Sequence, residues 1–114
     1  MRKRKFGNKS CRCLLKHIHD SILEADVCNR LLAKVKAKEI DSYVSQKTYD
    51  LTANYKTICQ HRVDFLVYHK NGELEVVEAK GMATALWRLK KKIFESAFPD
   101  INYRVITRAN LHEL

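Results

Sequence analysis

Asp64, Glu78 and Lys80 are the residues of this chain whose types and spacing could do chemistry. They lie in one stretch, residues 64–81, which reads as two apolar strands joined by a turn at Asn71-Gly72 and closed by Gly81. One strand carries an acid near its start and the other ends in Glu-x-Lys. Side chains on a strand alternate faces with period two, so Glu78 and Lys80 point the same way. Two carboxylates and a lysine at neighbouring strand ends suit a hard, oxygen-seeking cation held beside a phosphodiester. The chemistry implied is metal-assisted phosphodiester hydrolysis.

The reading depends on the turn. A two-residue loop of Asn71-Gly72 pairs Lys70 with Glu73 and sets Asp64 opposite Ala79, on the face away from Glu78. A three-residue loop, residues 70–72, pairs His69 with Glu73 and sets Asp64 opposite Glu78. One residue of slip moves every side chain to the other face. Gly72 suits the left-handed position that ends the longer loop, and Asn-Gly also suits the shorter one. Only the longer loop brings the two acids together.

The pattern Asp64 … Glu78-x-Lys80 resembles the PD-(D/E)xK nuclease superfamily, and most of all its small phage- and prophage-encoded nuclease-like members. The resemblance is carried by Asp20-Ser21-x-x-Glu24-Ala25, Gln46, residues 61–65 around Asp64, residues 77–81 around Glu78 and Lys80, and Thr84 with residues 87–90. It covers roughly residues 18–107. Val63 stands where the family often has proline. The resemblance implies an α/β, restriction-endonuclease-like core: a mixed four-stranded sheet flanked by an N-terminal helix and a crossover helix. It implies Mg²⁺, with Mn²⁺ able to substitute, held by Asp64, Glu78 and the carbonyl of Ala79. Lys80 would then orient or help deprotonate the attacking water. An early helical glutamate often completes the family's site, and Glu24 takes that place.

The elements that must position these residues follow from pattern alone. Ser21 is a good N-cap with Glu24 at the capping-box spacing, and a helix is predicted over 22–38 with Cys28, Leu31, Leu32 and Val35 as its apolar stripe. Glu24 lies one turn before Cys28, close to that stripe. It either caps its helix or reaches the site, and Asp26 projects towards solvent. Strands are predicted over 43–51, 59–68 and 73–80, with a polar loop at 54–56. Gln46 either touches phosphate or bonds a neighbouring strand. A second helix is predicted over 84–98, its apolar side formed by Ala85, Leu86, Leu89, Ile93 and Ala97, and Pro99 ends it. Thr84, Arg88, Lys90 and Lys91 are candidate phosphate-binding residues on this helix. A last strand over 102–107 follows a helical crossover and so runs parallel to a neighbour. The order predicts a two-layer α/β or three-layer α/β/α sandwich.

The chain has 114 residues, enough for one domain and too few for two. Residues 1–10 are read as a basic flexible arm and residues 11–114 as a single nuclease-like domain. A formal charge of +9 attracts polyanions, so DNA is the expected partner. No apolar run approaches the ~18 residues of a membrane span, and the basic start lacks a signal-peptide core, so a cytoplasmic home is expected. In that compartment Cys11, Cys13, Cys28 and Cys59 are expected to be thiols. The string Cys11-x-Cys13-x3-His17-x-His19 has zinc-ligand residue types. Its spacing is tighter than the usual knuckle and argues against zinc. With three glycines there is no phosphate-cradling loop, and no nucleophile triad stands out. His61, three residues before Asp64, is read as structural.

The expected function is a Mg²⁺-dependent DNA endonuclease, with branched or junction DNA in phage DNA processing as a candidate substrate. As a domain this small, it is a candidate homodimer. The alternatives are a protein of the same fold that binds nucleic acid without cutting it, and a zinc-bearing interaction module.

Overall fold

The computed structural model describes residues 21–114 in full and, of the preceding segment, the backbone of 11–12 and 18–19. The basic arm (residues 1–10) and the side chains of the Cys11/Cys13/His17/His19 string lie outside the described residues. Two short strands, β1 (Cys11–Arg12) and β2 (Ile18–His19), pair antiparallel. Helix α1 (Ile22–Lys36) follows, then β3 (Ser42–Ala53), β4 (Lys56–Tyr68), β5 (Leu74–Ala79), α2 (Ala85–Ala97) and β6 (Ile101–Ile106). The four longer strands form one mixed sheet in the order β3-β4-β5-β6, antiparallel except for the parallel pair β5/β6. The predicted elements and the mixed α/β architecture are therefore present. The pair β1/β2 was not predicted, and β3 and β4 extend further towards their shared turn than their patterns indicated.

One face of the sheet packs on α1. Leu23, Val27, Cys28 and Leu31 meet Phe65, Val67, Val77 and Ile106 in a buried cluster. The other face packs on α2, where Phe94 meets Leu51, Val63, Leu66 and Val76. Phe65 and Val63 thus belong to opposite faces although they are two residues apart. The alternation breaks at Asp64. Its neighbour across the strand pair is Gln46, which has a left-handed backbone (φ 55°) and is skipped by the ladder, while Ser45↔Phe65 and Lys47↔Val63 pair on either side. An irregularity of this kind in a strand re-aims a side chain, and here it lies at Asp64.

Helix α2 sits differently from its apolar pattern. Phe94 is its single buried residue, and Leu86 and Leu89 are 61% and 54% exposed. The Ala85/Leu86/Leu89/Ala97 side does not face the core. Aromatic geometry accounts for the rotation. Phe94 makes edge or tilted contacts with Tyr49, His61, Phe98 and Tyr103, and Trp87 reaches a buried carboxylate on β5. Such contacts add to the area that the large rings bury.

Candidate active site

The β4–β5 turn decides the register, and it is the three-residue form. His69 N–H donates to the Glu73 carbonyl (2.9 Å), Gly72 N–H donates to the His69 carbonyl (3.0 Å), and Gly72 is left-handed at φ 89°. Asn71 Oδ1 accepts from Glu73 N–H at 3.0 Å, a local bond that closes this longer loop. The ladder runs from Tyr68↔Leu74 to Phe65↔Val77, and one further step sets Asp64 opposite Glu78. Ala79 N–H donates to Asp64 Oδ2 at 2.9 Å, tying the aspartate to the end of β5.

Glu24 arrives from α1. Ser21 caps that helix by accepting from Glu24 N–H at 3.1 Å, as the capping-box spacing predicts. The Glu24 side chain is buried and hydrogen-bonds Asp64. The cap is therefore supplied by Ser21, while the Glu24 carboxyl is turned to Asp64 and does not merely cap its helix. Burial, then the charge and hydrogen bond of Glu24, then the charge of Glu78 hold the Asp64 carboxyl well above the usual carboxylate range, against a small opposing effect of the Ala79 N–H. Like charges gathered in a shielded place cannot all ionise freely. Asp26 faces solvent as expected, and there it pairs with Arg108 at 2.6 Å.

Glu78 is 2% exposed and is held by aromatic donors. Trp87 Nε1–H donates to Oε2 at 2.6 Å and Tyr103 O–H donates to Oε1 at 2.7 Å. His61 Nε2 lies 2.8 Å from the Tyr103 hydroxyl and 3.4 Å from Glu78 Oε1. Burial and the adjacent Glu78 carboxylate push the Tyr103 hydroxyl far above its ordinary value, so it stays a proton donor. Lys80 extends the β5/β6 pairing through its N–H to the Ile106 carbonyl (2.8 Å), and its Nζ lies 5.0 Å from the centre of the Trp87 ring. Trp87 thus holds Glu78 with its edge and carries Lys80 over its face.

Trp87 in this role and Tyr103 were not among the predicted site residues. Tyr103 was findable: in a strand parallel to β5 it stands opposite Val76, on the face that Glu78 shares. His61 is buried behind Tyr103 and Glu78, consistent with its structural reading. Of the predicted phosphate-binding residues, Gln46 stands opposite Asp64 and is half-buried. Arg88 is exposed and Lys90 half-buried. Thr84 is the N-cap of α2 and accepts from Trp87 N–H at 3.1 Å. Lys91 is committed within the protein, 3.0 Å from Glu95 and 4.9 Å from the Tyr103 ring centre.

The oxygen donors fit a hard divalent cation. Among the described residues no three or more His, Cys, Asp or Glu side chains converge as a metal cage. A cation here would take at most two carboxylates, with a carbonyl, waters and phosphate completing its shell, which is how Mg²⁺ is commonly bound. The hydrogen bonds to Glu78 use one acceptor position on each oxygen and leave others. A cation would also relieve the repulsion that raises Asp64.

No curated protein and no solved structure shows significant similarity to the chain. A family model described as a protein of unknown function, DUF1064, matches residues 4–113, nearly the whole length. The chain belongs to the DUF1064 family.

Proposed function

We propose that this protein is a divalent-metal-dependent DNA endonuclease of the PD-(D/E)xK type. One observation carries the reading. Asp64, tied to the end of β5, hydrogen-bonds Glu24 of α1 and feels the charge of Glu78 of β5, and Lys80 lies over the Trp87 ring that holds Glu78. Buried carboxyl groups that repel one another destabilise a fold, and a cation offsets that cost. Asp64 and Glu78, with the Ala79 carbonyl, would hold the metal. When bound, the metal lowers the pKa of a water and neutralises charge on the phosphoryl oxygens. Trp87 and Tyr103 fix the Glu78 carboxylate. Glu24, hydrogen-bonded to Asp64, would hold a water beside the metal. Lys80, held over Trp87, supplies positive charge beside the scissile phosphate. The +9 charge of the chain favours a polyanionic substrate.

The test is incubation of purified protein with labelled linear, nicked and branched DNAs, with Mg²⁺, with Mn²⁺ and with chelator. Cleavage confined to the metal-containing samples is expected. A second reading, binding without cleavage, draws on the two hydrogen bonds that already occupy Glu78. Mg²⁺ titration of the protein without DNA separates the two, since a Glu78 retained only for structure gives no metal-dependent rise in melting temperature.

A further inference from the structure

The β3–β4 hairpin outruns the sheet. Its strands have 12 and 13 residues, whereas β5 has six and pairs with β4 only from Phe65 onwards. The remainder, residues 47–63, projects past Asp64 to a two-residue turn. There Ala53 pairs with Lys56, and Asn54 and Tyr55 are both left-handed, at φ 51° and 66°. This is the backbone of a type I′ turn, whose second central position is ordinarily glycine. A bulky side chain in the left-handed region is strained, because its Cβ crowds the backbone. Tyr55 is fully exposed, at 105%, so the strain is not offset by packing within the molecule. Ile58 is 62% exposed, and Lys56 is exposed beside the turn. Strain held at a solvent-facing position points to a role outside the fold.

We infer that this hairpin tip engages unpaired or unstacked DNA bases, with Tyr55 as the stacking ring and Lys56 as a phosphate contact. The inference rests on the proposed nuclease reading and adds a substrate class to it. Eight residues of strand lie between Tyr55 and Asp64, so nine steps separate them, a reach of about 30 Å at ~3.3 Å per step. At ~3.4 Å per nucleotide along one strand, the tip meets DNA roughly eight or nine nucleotides from the cleaved bond. An exposed aromatic ring accepts any base face, so the tip reads strand separation rather than sequence. The substrate is therefore DNA with a single-stranded flap or branch about one helical turn from the cut.

The test uses the full chain, in chelator, with fluorescent linear duplex, single-stranded and flapped DNAs. Tyr55→Gly should lower affinity for the single-stranded and flapped DNAs by roughly 5- to 150-fold, the range of one lost base stack. Linear duplex should be little affected, and Tyr55→Phe should bind like the native protein. Tyr55→Gly should melt no lower than the native chain, because glycine relieves the turn, so a binding loss cannot be assigned to unfolding. 2-Aminopurine placed eight or nine nucleotides from the cut should change its fluorescence when the native chain binds and not when Tyr55→Gly does. Unchanged affinity of Tyr55→Gly for flapped DNA, or equal losses on all three DNAs, would overturn the inference. Because binding is measured without metal, a Tyr55-dependent preference in a protein that never cleaves would uphold the tip and remove the nuclease reading.

Discussion

Asp64 is where sequence, backbone and electrostatics meet. It lies at the break in strand alternation, accepts the Ala79 N–H, and shares its surroundings with Glu24 and Glu78. Its raised pKa has a definite consequence in the metal-free protein. A carboxyl group that binds its proton more tightly folded than unfolded makes stability fall as pH rises from the unfolded value, near 3.8, through the folded one. Asp64→Asn removes that slope, because the amide carries no charge and can still accept the Ala79 N–H. It should raise the melting temperature at neutral pH, on the order of 5 °C, the shift that ~1 kcal/mol produces in a domain of this size. Thermal melts of both proteins from pH 4 to pH 8, in chelator, check this, and curves that stay parallel would contradict it. Mg²⁺ should then stabilise the native chain and leave Asp64→Asn unmoved.

At the scale of elements, α2 offers the sharpest test of the packing. Leu86 and Leu89 dominate its apolar pattern, yet Phe94 is the residue that is buried. Phe94→Ala should cost about 3–5 kcal/mol, whereas Leu86→Lys or Leu89→Lys should each change stability by less than ~0.5 kcal/mol in urea denaturation. The strands were legible because alternation and turn residues mark them, and α1 was legible from Ser21 and Glu24. The orientation of α2 was not, because periodicity ranks apolar residues by number and ignores ring geometry. The same limit hid Trp87 and Tyr103, whose partner Glu78 lies on a strand distant in sequence. The three-residue turn was open in the sequence, since Gly72 suits both loops. The Asn71 side chain bond to Glu73 N–H accompanies the longer one. The left-handed Gln46 that accompanies the break at Asp64 leaves no mark in a pattern of residue types.

For the whole molecule, 22 basic residues against 13 acidic ones favour a polyanionic partner, which the proposed function takes to be DNA. Several acids are already engaged: Asp26 by Arg108, Glu95 by Lys91, and Glu24, Asp64 and Glu78 among themselves and their donors. DNA affinity should therefore fall steeply with salt, with a slope near −0.9 per phosphate neutralised on duplex. Arg88→Glu should weaken binding equally across sequences, since phosphate contacts position a protein without reading bases. Lys91→Glu should also lower stability, because Lys91 lies on the Tyr103 ring and pairs with Glu95. Filter binding across roughly 50 to 200 mM salt measures the slope, and a flat dependence would show that the basic surface serves another partner.

In the proposed function, Asp64 and Glu78 act directly in cutting DNA. Single-turnover cleavage of a flapped duplex in Mg²⁺ should be measured for the native chain, Asp64→Asn and Glu78→Gln, with DNA affinity and melting temperature determined on the same samples. The native chain should cut, and both variants should fold and bind DNA yet lose cleavage by at least about a hundredfold, the scale expected when transition-state charge stabilisation is removed. Cleavage by Asp64→Asn or Glu78→Gln at the native rate, or a native chain that binds the flap and never cuts it, would rule out this role for the two carboxylates.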